Sequence, residues 1–337
     1  ERYVVTGQLG GSWRPTLHKG GVHMALPQLL TRDHIQAGLF QASEQCHQPD
    51  AGLFGPGSIC WQLMRENLTS LAHGRVVLLA LADSRLSQLL ADSHDLVQRL
   101  QHTQVFMLKL VFGNLDQALL TLDSPRMRRK TLFDVDDSET LLYALTAWMD
   151  SCLTVYQEII EPLNTAHQER LFEETMLLAQ VMGIPESRRP ADWHAHQRWW
   201  KRRLNHHGPI SDRRRQLGHN LIREQGYPGR LPYSPYLPLA SFQIPEHLRQ
   251  TFRLPQTGLD SHRAYQKHLN RLMDITRRLP PRLRFQPAYH EASQRLGGRA
   301  RADLATRLLN RWWTGESDLV SSGWSIPKVD RLPSVSY

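Results

Sequence analysis

The stretch "QRLQHTQVFMLKLVFGN" (residues 98–114) decides the reading of this chain. It reads as one buried helix, because an almost unbroken apolar run follows a polar opening. Positions three and four apart share a helix face. Arg99, His102 and Thr103 therefore point the same way, and a buried helix with a cation, an imidazole and a hydroxyl on one face needs a polar counterpart.

Outward from this stretch the same texture continues. "SICWQLMRENLTSLAH" (58–73), "GRVVLLALADSRLSQLLADSHDLVQRLQ" (74–101), "TQVFMLKLVFGNLDQALLTLD" (103–123), "SETLLYALTAWMDSCLTVYQEIIEPL" (138–163) and "AHQERLFEETMLLAQVMG" (166–183) all carry apolar residues at helical spacing. Helix punctuation separates them: Ser58, Asn67 and Ser138 as caps, Gly113 and Gly183 near C-termini, Pro125 and Pro185 as stops. Nothing alternates with period two for long enough to argue a sheet. Residues 205–258 are rich in Pro, Gly and Arg and read as a long tethered connection. Helical texture returns at 260–278 and at 288–312. The expectation is an all-α fold: a single large multi-helix domain over 54–298, an irregular arm over 1–53 with one helix near 31–43, and an extension over 299–337.

Composition narrows the function classes. The chain has 337 residues, 40% hydrophobic and 22% charged, which is the profile of a globular protein. Three cysteines, Cys46, Cys60 and Cys152, are too few and too scattered for a disulfide framework or a four-thiolate zinc site. No apolar stretch reaches the roughly eighteen residues that cross a bilayer. The sequence opens without a charged-then-apolar leader, so either none exists or it was removed, and a cytoplasmic location is expected.

The net charge of +9 and pI near 9.7 suit an anionic partner. Much of that charge lies in "ESRRPADWHAHQRWWKRRLNHHGPISDRRRQ" (186–216), interleaved with Trp193, Trp199 and Trp200. One reading is an aromatic and basic binding patch. The other, preferred because no nucleic-acid signature accompanies it, is a solvated helix and loop docked to the core by its tryptophans. Nucleic acid is not an expected partner.

The ordered segments "FGPGSICWQL" (54–63), "GRVVLLALADSRL" (74–86), "RLQHTQVFMLKLVFGNLDQA" (99–118), "LLYALTAWMDSCLTVYQEIIEPL" (141–163), "FEETMLLAQVMGIP" (172–185), "IPEHLRQTF" (244–252) and "LPPRLRFQPAYHEASQRL" (279–296) resemble an oxygenase family, the one containing the fungal MpaB proteins and bacterial latex clearing protein. The resemblance implies an all-α fold enclosing haem b and oxidative chemistry on an apolar small molecule. It also implies an Arg and a Thr, four residues apart, on a helix beside the haem. Arg99 and Thr103 match that pair as catalytic candidates, and Arg99, His102 and Phe106 become the expected cofactor contacts.

The chain departs from the family pattern where iron would be held. The axial-histidine position falls near Arg129, the family's His-Pro falls at Asp83-Ser84, and the histidine of its Trp-Val-His helix falls at Leu145. A guanidinium keeps its proton and offers iron no lone pair. His102 is then the best remaining metal ligand, with His94 a weaker one. Alternatively haem is absent, and Asp83, Arg99 and Arg129 form a buried ion-pair network in its place.

Other constellations carry less. His194, His196, His206 and His207 are close in sequence, but alternate histidines do not share a helix face and the region reads as a loop. Glu173, Glu174, Asp134, Asp136 and Asp137 lack the Glu-x-x-His pattern of a di-iron bundle. Two functions therefore stand: a haem-dependent oxygenase of an apolar small molecule, or a haem-free member of the same fold serving as a binding or assembly module.

Overall fold

A computed structural model describes residues 49–90, 93–223, 239–254 and 259–320. Among them the architecture is all-α, and the one β-feature is an isolated bridge between Glu66 and Phe285. The helix expected near 31–43 lies outside the described residues.

The first helix, α1 (Ile59–Met64), is fixed from two sides. The Ser58 hydroxyl accepts from the Trp61 N–H, and the Glu174 carboxylate accepts from the N–H groups of Ile59 and Cys60 at 3.0 and 2.6 Å. A carboxylate there satisfies orphan donors and complements the helix dipole. The central helix, α2 (Ala72–Ala82), is buried at every position, as its apolar sequence requires.

Helix α3 (Ser93–Phe112) contains Arg99, His102 and Thr103, and it stops before Gly113 as its sequence predicts. The Gly113 carbonyl oxygen lies 2.0 Å from where a Cβ on Gly52 would stand, and Gly52 has φ +77°. Only glycine fits that contact. Asn114 then caps α4 (Leu115–Asp123).

Helix α5 (Ser138–Ile159) packs along α2, and the Tyr143 hydroxyl donates to the Leu79 carbonyl at 2.9 Å. Its cap is Asp137, one residue before the expected Ser138, because the longer carboxylate accepts from the Thr140 N–H. Asn67 caps nothing; its amide donates to the carbonyls of Leu283 and Phe285. Pro125 opens a one-turn helix, Pro125–Arg128, rather than stopping one.

Then come α6 (Thr165–Val181), α7 (Trp193–Asn205), α8 (Asp212–Arg223), α9 (Leu259–Arg278), α10 (Pro287–Leu296) and α11 (Leu304–Thr314). Part of the expected long connection is thus helical, in α8 and in two short pieces, Ala240–Gln243 and Glu246–Thr251.

Residues 299–320 pack into the body of the protein rather than extending from it. The buried Glu291 carboxylate of α10 accepts from the Asn310 side chain and from the N–H groups of Leu319 and Val320. Arg295 donates to the carbonyls of Val320, Asp50 and Phe112, and Trp313 Nε1 reaches Asn67 and Gln286. Nearby, Arg284 forks onto the fully buried Glu66 at 2.8 and 2.9 Å.

Candidate functional site

The polar face of α3 finds its counterpart inside the chain. Arg99 Nη1 donates to the Thr131 carbonyl at 3.2 Å and lies 4.0 Å from the Asp134 carboxylate. Thr103 is fully buried; its hydroxyl donates to the Arg99 carbonyl at 2.6 Å and accepts from the Leu132 N–H at 2.9 Å. Phe106, also buried, packs on Phe133 with ring centroids 5.8 Å apart. His102 does not join them. Its ring is exposed and its Nδ1 lies 2.7 Å from the Gln98 carbonyl, one turn back on the same helix.

A haem does not fit this face. Residues 131–133 lie directly on Arg99, Thr103 and Phe106, through two hydrogen bonds and an aromatic contact, where a porphyrin would need a flat gap. Leu132 and Phe133 are at most 2% exposed. The ligand positions agree: Arg129 is exposed, Leu145 is buried apolar, and Asp83 binds the N–H groups of Arg85 and Leu86 and the Arg203 guanidinium. The alternative ion-pair network is not assembled either, since Asp83 and Arg99 take separate partners and Arg129 faces solvent. Among the described residues no group of three or more His, Cys, Asp or Glu could hold a metal ion.

Elsewhere, four buried polar atoms without partners lie on one lining. A cleft of about 310 Å³ lies between α5, α6 and α7. Met149, Leu153, Leu171, Phe172, Trp193 and Trp200 supply apolar walls, and Gln157, Gln168, Gln197 and Lys201 form the rim. Into it faces His196, 8% exposed, with neither ring nitrogen hydrogen-bonded. Thr146 Oγ1 and Trp200 Nε1, also on the lining, are buried without partners too. A buried polar group left unpaired costs about 1–3 kcal/mol. Four such atoms in one apolar cleft form a binding surface awaiting a polar group of matching size.

The electrostatics suit a neutral guest. Burial pushes the His196 imidazole down to about 4, against a weaker opposite pull from Asp150, so near neutral pH it is uncharged, one nitrogen donating and the other accepting. Asp150, at the cleft, is held by Arg75 at 2.6 Å, and Arg75 also donates to Ser151 Oγ and the Gln243 carbonyl. That half-buried pair joins α2 to the floor of the cleft.

His196 sits on a helix, α7, rather than in a loop. Asp192 caps it, and Trp193, His196 and Trp200 fall at i, i+3 and i+7 on its inner face, while His194 is exposed. The tryptophans thus dock the basic segment to the core. The spacing of Trp193 and Trp200 marks an apolar helix face in the sequence, but which histidine joins it depends on the packing of α5 and α6. Glu174 serves the α1 N-terminus, and Glu173 is exposed.

Comparison with known proteins adds one match. The family model described as "ER-bound oxygenase mpaB/B'/Rubber oxygenase, catalytic domain" matches residues 61–278. No curated protein and no solved structure matches. Among the described residues no helix is long and apolar enough to cross a membrane.

Proposed function

Starting from the fact that this chain belongs to the mpaB/rubber oxygenase catalytic-domain family, we propose that it is a haem-free member that binds an apolar small molecule in the α5–α6–α7 cleft. The observation that carries this is the set of unpartnered atoms on His196, Thr146 and Trp200 within an otherwise apolar lining. The guest is an apolar body bearing one hydroxyl or carbonyl. Its polar group exchanges hydrogen bonds with His196 and Thr146, and its carbon frame lies against Trp193, Phe172 and Leu153. A dry cavity of roughly 150 Å³ takes one benzene, so this cleft suits a guest of about two fused rings.

The family match supports a second reading, a haem-dependent oxygenase of an apolar small molecule with Arg99 and Thr103 at the reacting centre and His102 on the iron. Against it stands the packing of Thr131, Leu132 and Phe133 on that helix face. Full-length protein produced with ample haem separates the two. The haem-free reading expects no Soret band and no stoichiometric iron, and 1-naphthol binding about tenfold tighter than naphthalene by calorimetry, the worth of one good hydrogen bond. A Soret band that disappears in His102→Ala overturns it, and equal affinity for the two aromatics removes the polar role of the cleft.

A further inference from the structure

A second surface, distant in the chain from the cleft residues, lies along α9 and α11. Of the seven large apolar side chains that stand exposed in the described residues, five are here: Ile275, Leu283, Leu304, Leu308 and Trp312, between 39% and 68% exposed. Leu304, Leu308 and Trp312 recur every four residues and form one stripe of α11. Beside it runs an apolar groove of about 420 Å³ whose walls include Leu272, Ile275, Leu279 and Trp312. Contiguous apolar surface of this kind on a folded protein marks something that covers it.

The charges around it identify the class of partner. Helix α9 carries Arg263, Lys267, Arg271, Arg277 and Arg278 against two carboxylates, Asp260 and Asp274. Arg271 and Arg278 flank Ile275 on its solvent side by helical position, and Arg311 flanks the Leu308 stripe; all three are exposed. Among the described residues none of these three makes an ion pair. Arg282, at the end of the groove, is exposed and pairs only loosely with Asp303, at 3.6 Å. A protruding Leu and Trp stripe bordered by unpaired arginines is the pattern of an interfacial element: the apolar side chains enter the acyl boundary while guanidinium heads reach lipid phosphates. The chain's net charge of +9 acts in the same direction.

We propose that the α9–α11 face is a docking surface for an anionic membrane, held by Leu304, Leu308 and Trp312 and steered by Arg271, Arg278 and Arg311. Co-sedimentation of the full chain with phosphatidylcholine vesicles, with and without phosphatidylserine, tests it. The protein is expected to sediment with the anionic vesicles and to remain free of the neutral ones. Each of Arg271→Gln, Arg278→Gln and Arg311→Gln should weaken partitioning roughly fivefold, and Leu308→Glu with Trp312→Glu should abolish it. These side chains are largely exposed, so far-UV circular dichroism and the melting temperature should hold, which separates lost docking from lost folding. No sedimentation with anionic vesicles overturns the proposal, as does equal sedimentation with both kinds. A concentration-dependent dimer that Leu308→Glu dissolves, without vesicle binding, overturns it in favour of a second copy of this chain.

Discussion

The Leu132 backbone N–H donates to the Thr103 hydroxyl at 2.9 Å, and that hydroxyl in turn donates to the Arg99 carbonyl at 2.6 Å. Both groups are buried, so Thr103 joins α3 to the segment after α4. Thr103→Val keeps the shape and orphans the Leu132 N–H, which should cost about 1–3 kcal/mol. Thr103→Ser should recover most of it. Denaturant midpoints at constant slope give the answer; an unchanged midpoint for Thr103→Val would show that the hydroxyl has no structural task.

His196 carries the opposite expectation. Its unpaired nitrogens already contribute an unfavourable term, so His196→Phe should leave stability unchanged or raise it by up to about 2 kcal/mol. The same change should erase the preference for 1-naphthol over naphthalene. Stability and guest selectivity then move apart, and a substitution that lowers both would contradict the assignment.

Acid should weaken the protein through two imidazoles. Burial holds His73 and His196 down to about 4, from an ordinary value of 6.5. Above about 6.5 both are neutral whether folded or unfolded and add no slope. Between about 6.5 and about 4 the unfolded chain takes up protons that the folded one refuses, so stability falls as pH falls. Each site contributes on the order of 3 kcal/mol over that window. His73→Phe and His196→Phe should each flatten the curve of unfolding free energy against pH there, and a parallel curve for either removes that residue from the account.

Glu291 offers a test of how residues 299–320 are held. Glu291→Ala leaves the N–H groups of Leu319 and Val320 and the Asn310 amide without their acceptor. The expected cost is about 3 kcal/mol, in the range for breaking a buried charged network. Limited proteolysis should then cut beyond residue 299 before it cuts α2 or α5. Cleavage spread evenly through the domain would count against a local release of residues 299–320.

Much of the fold was legible in the sequence because helical periodicity is a local property. The apolar texture of residues 74–82 and 138–159 needed only spacing to be read, and Gly113 marked a boundary through its missing side chain. The cleft was less legible. Nothing in "WHAHQRWW" distinguishes a buried imidazole from an exposed one until α5 and α6 are placed against it, and the two histidines there part company on opposite sides of α7. Arg99, His102 and Thr103 mislead for the same reason. Their shared face was correctly inferred for Arg99 and Thr103, but what lies opposite comes from residues 131–133, about thirty positions further on. Asp137 rather than Ser138 as the cap is a smaller case, since neighbouring oxygens compete for one N–H and geometry chooses.

The grip of Glu291 on Leu319 and Val320 has a consequence during synthesis. Until those two residues emerge from the ribosome, the carboxylate lacks the two backbone N–H groups that it accepts from in the folded protein. The residues that complete this buried site lie some forty positions beyond the end of the family match, so the last acceptor sites to be filled belong to the part of the chain made last.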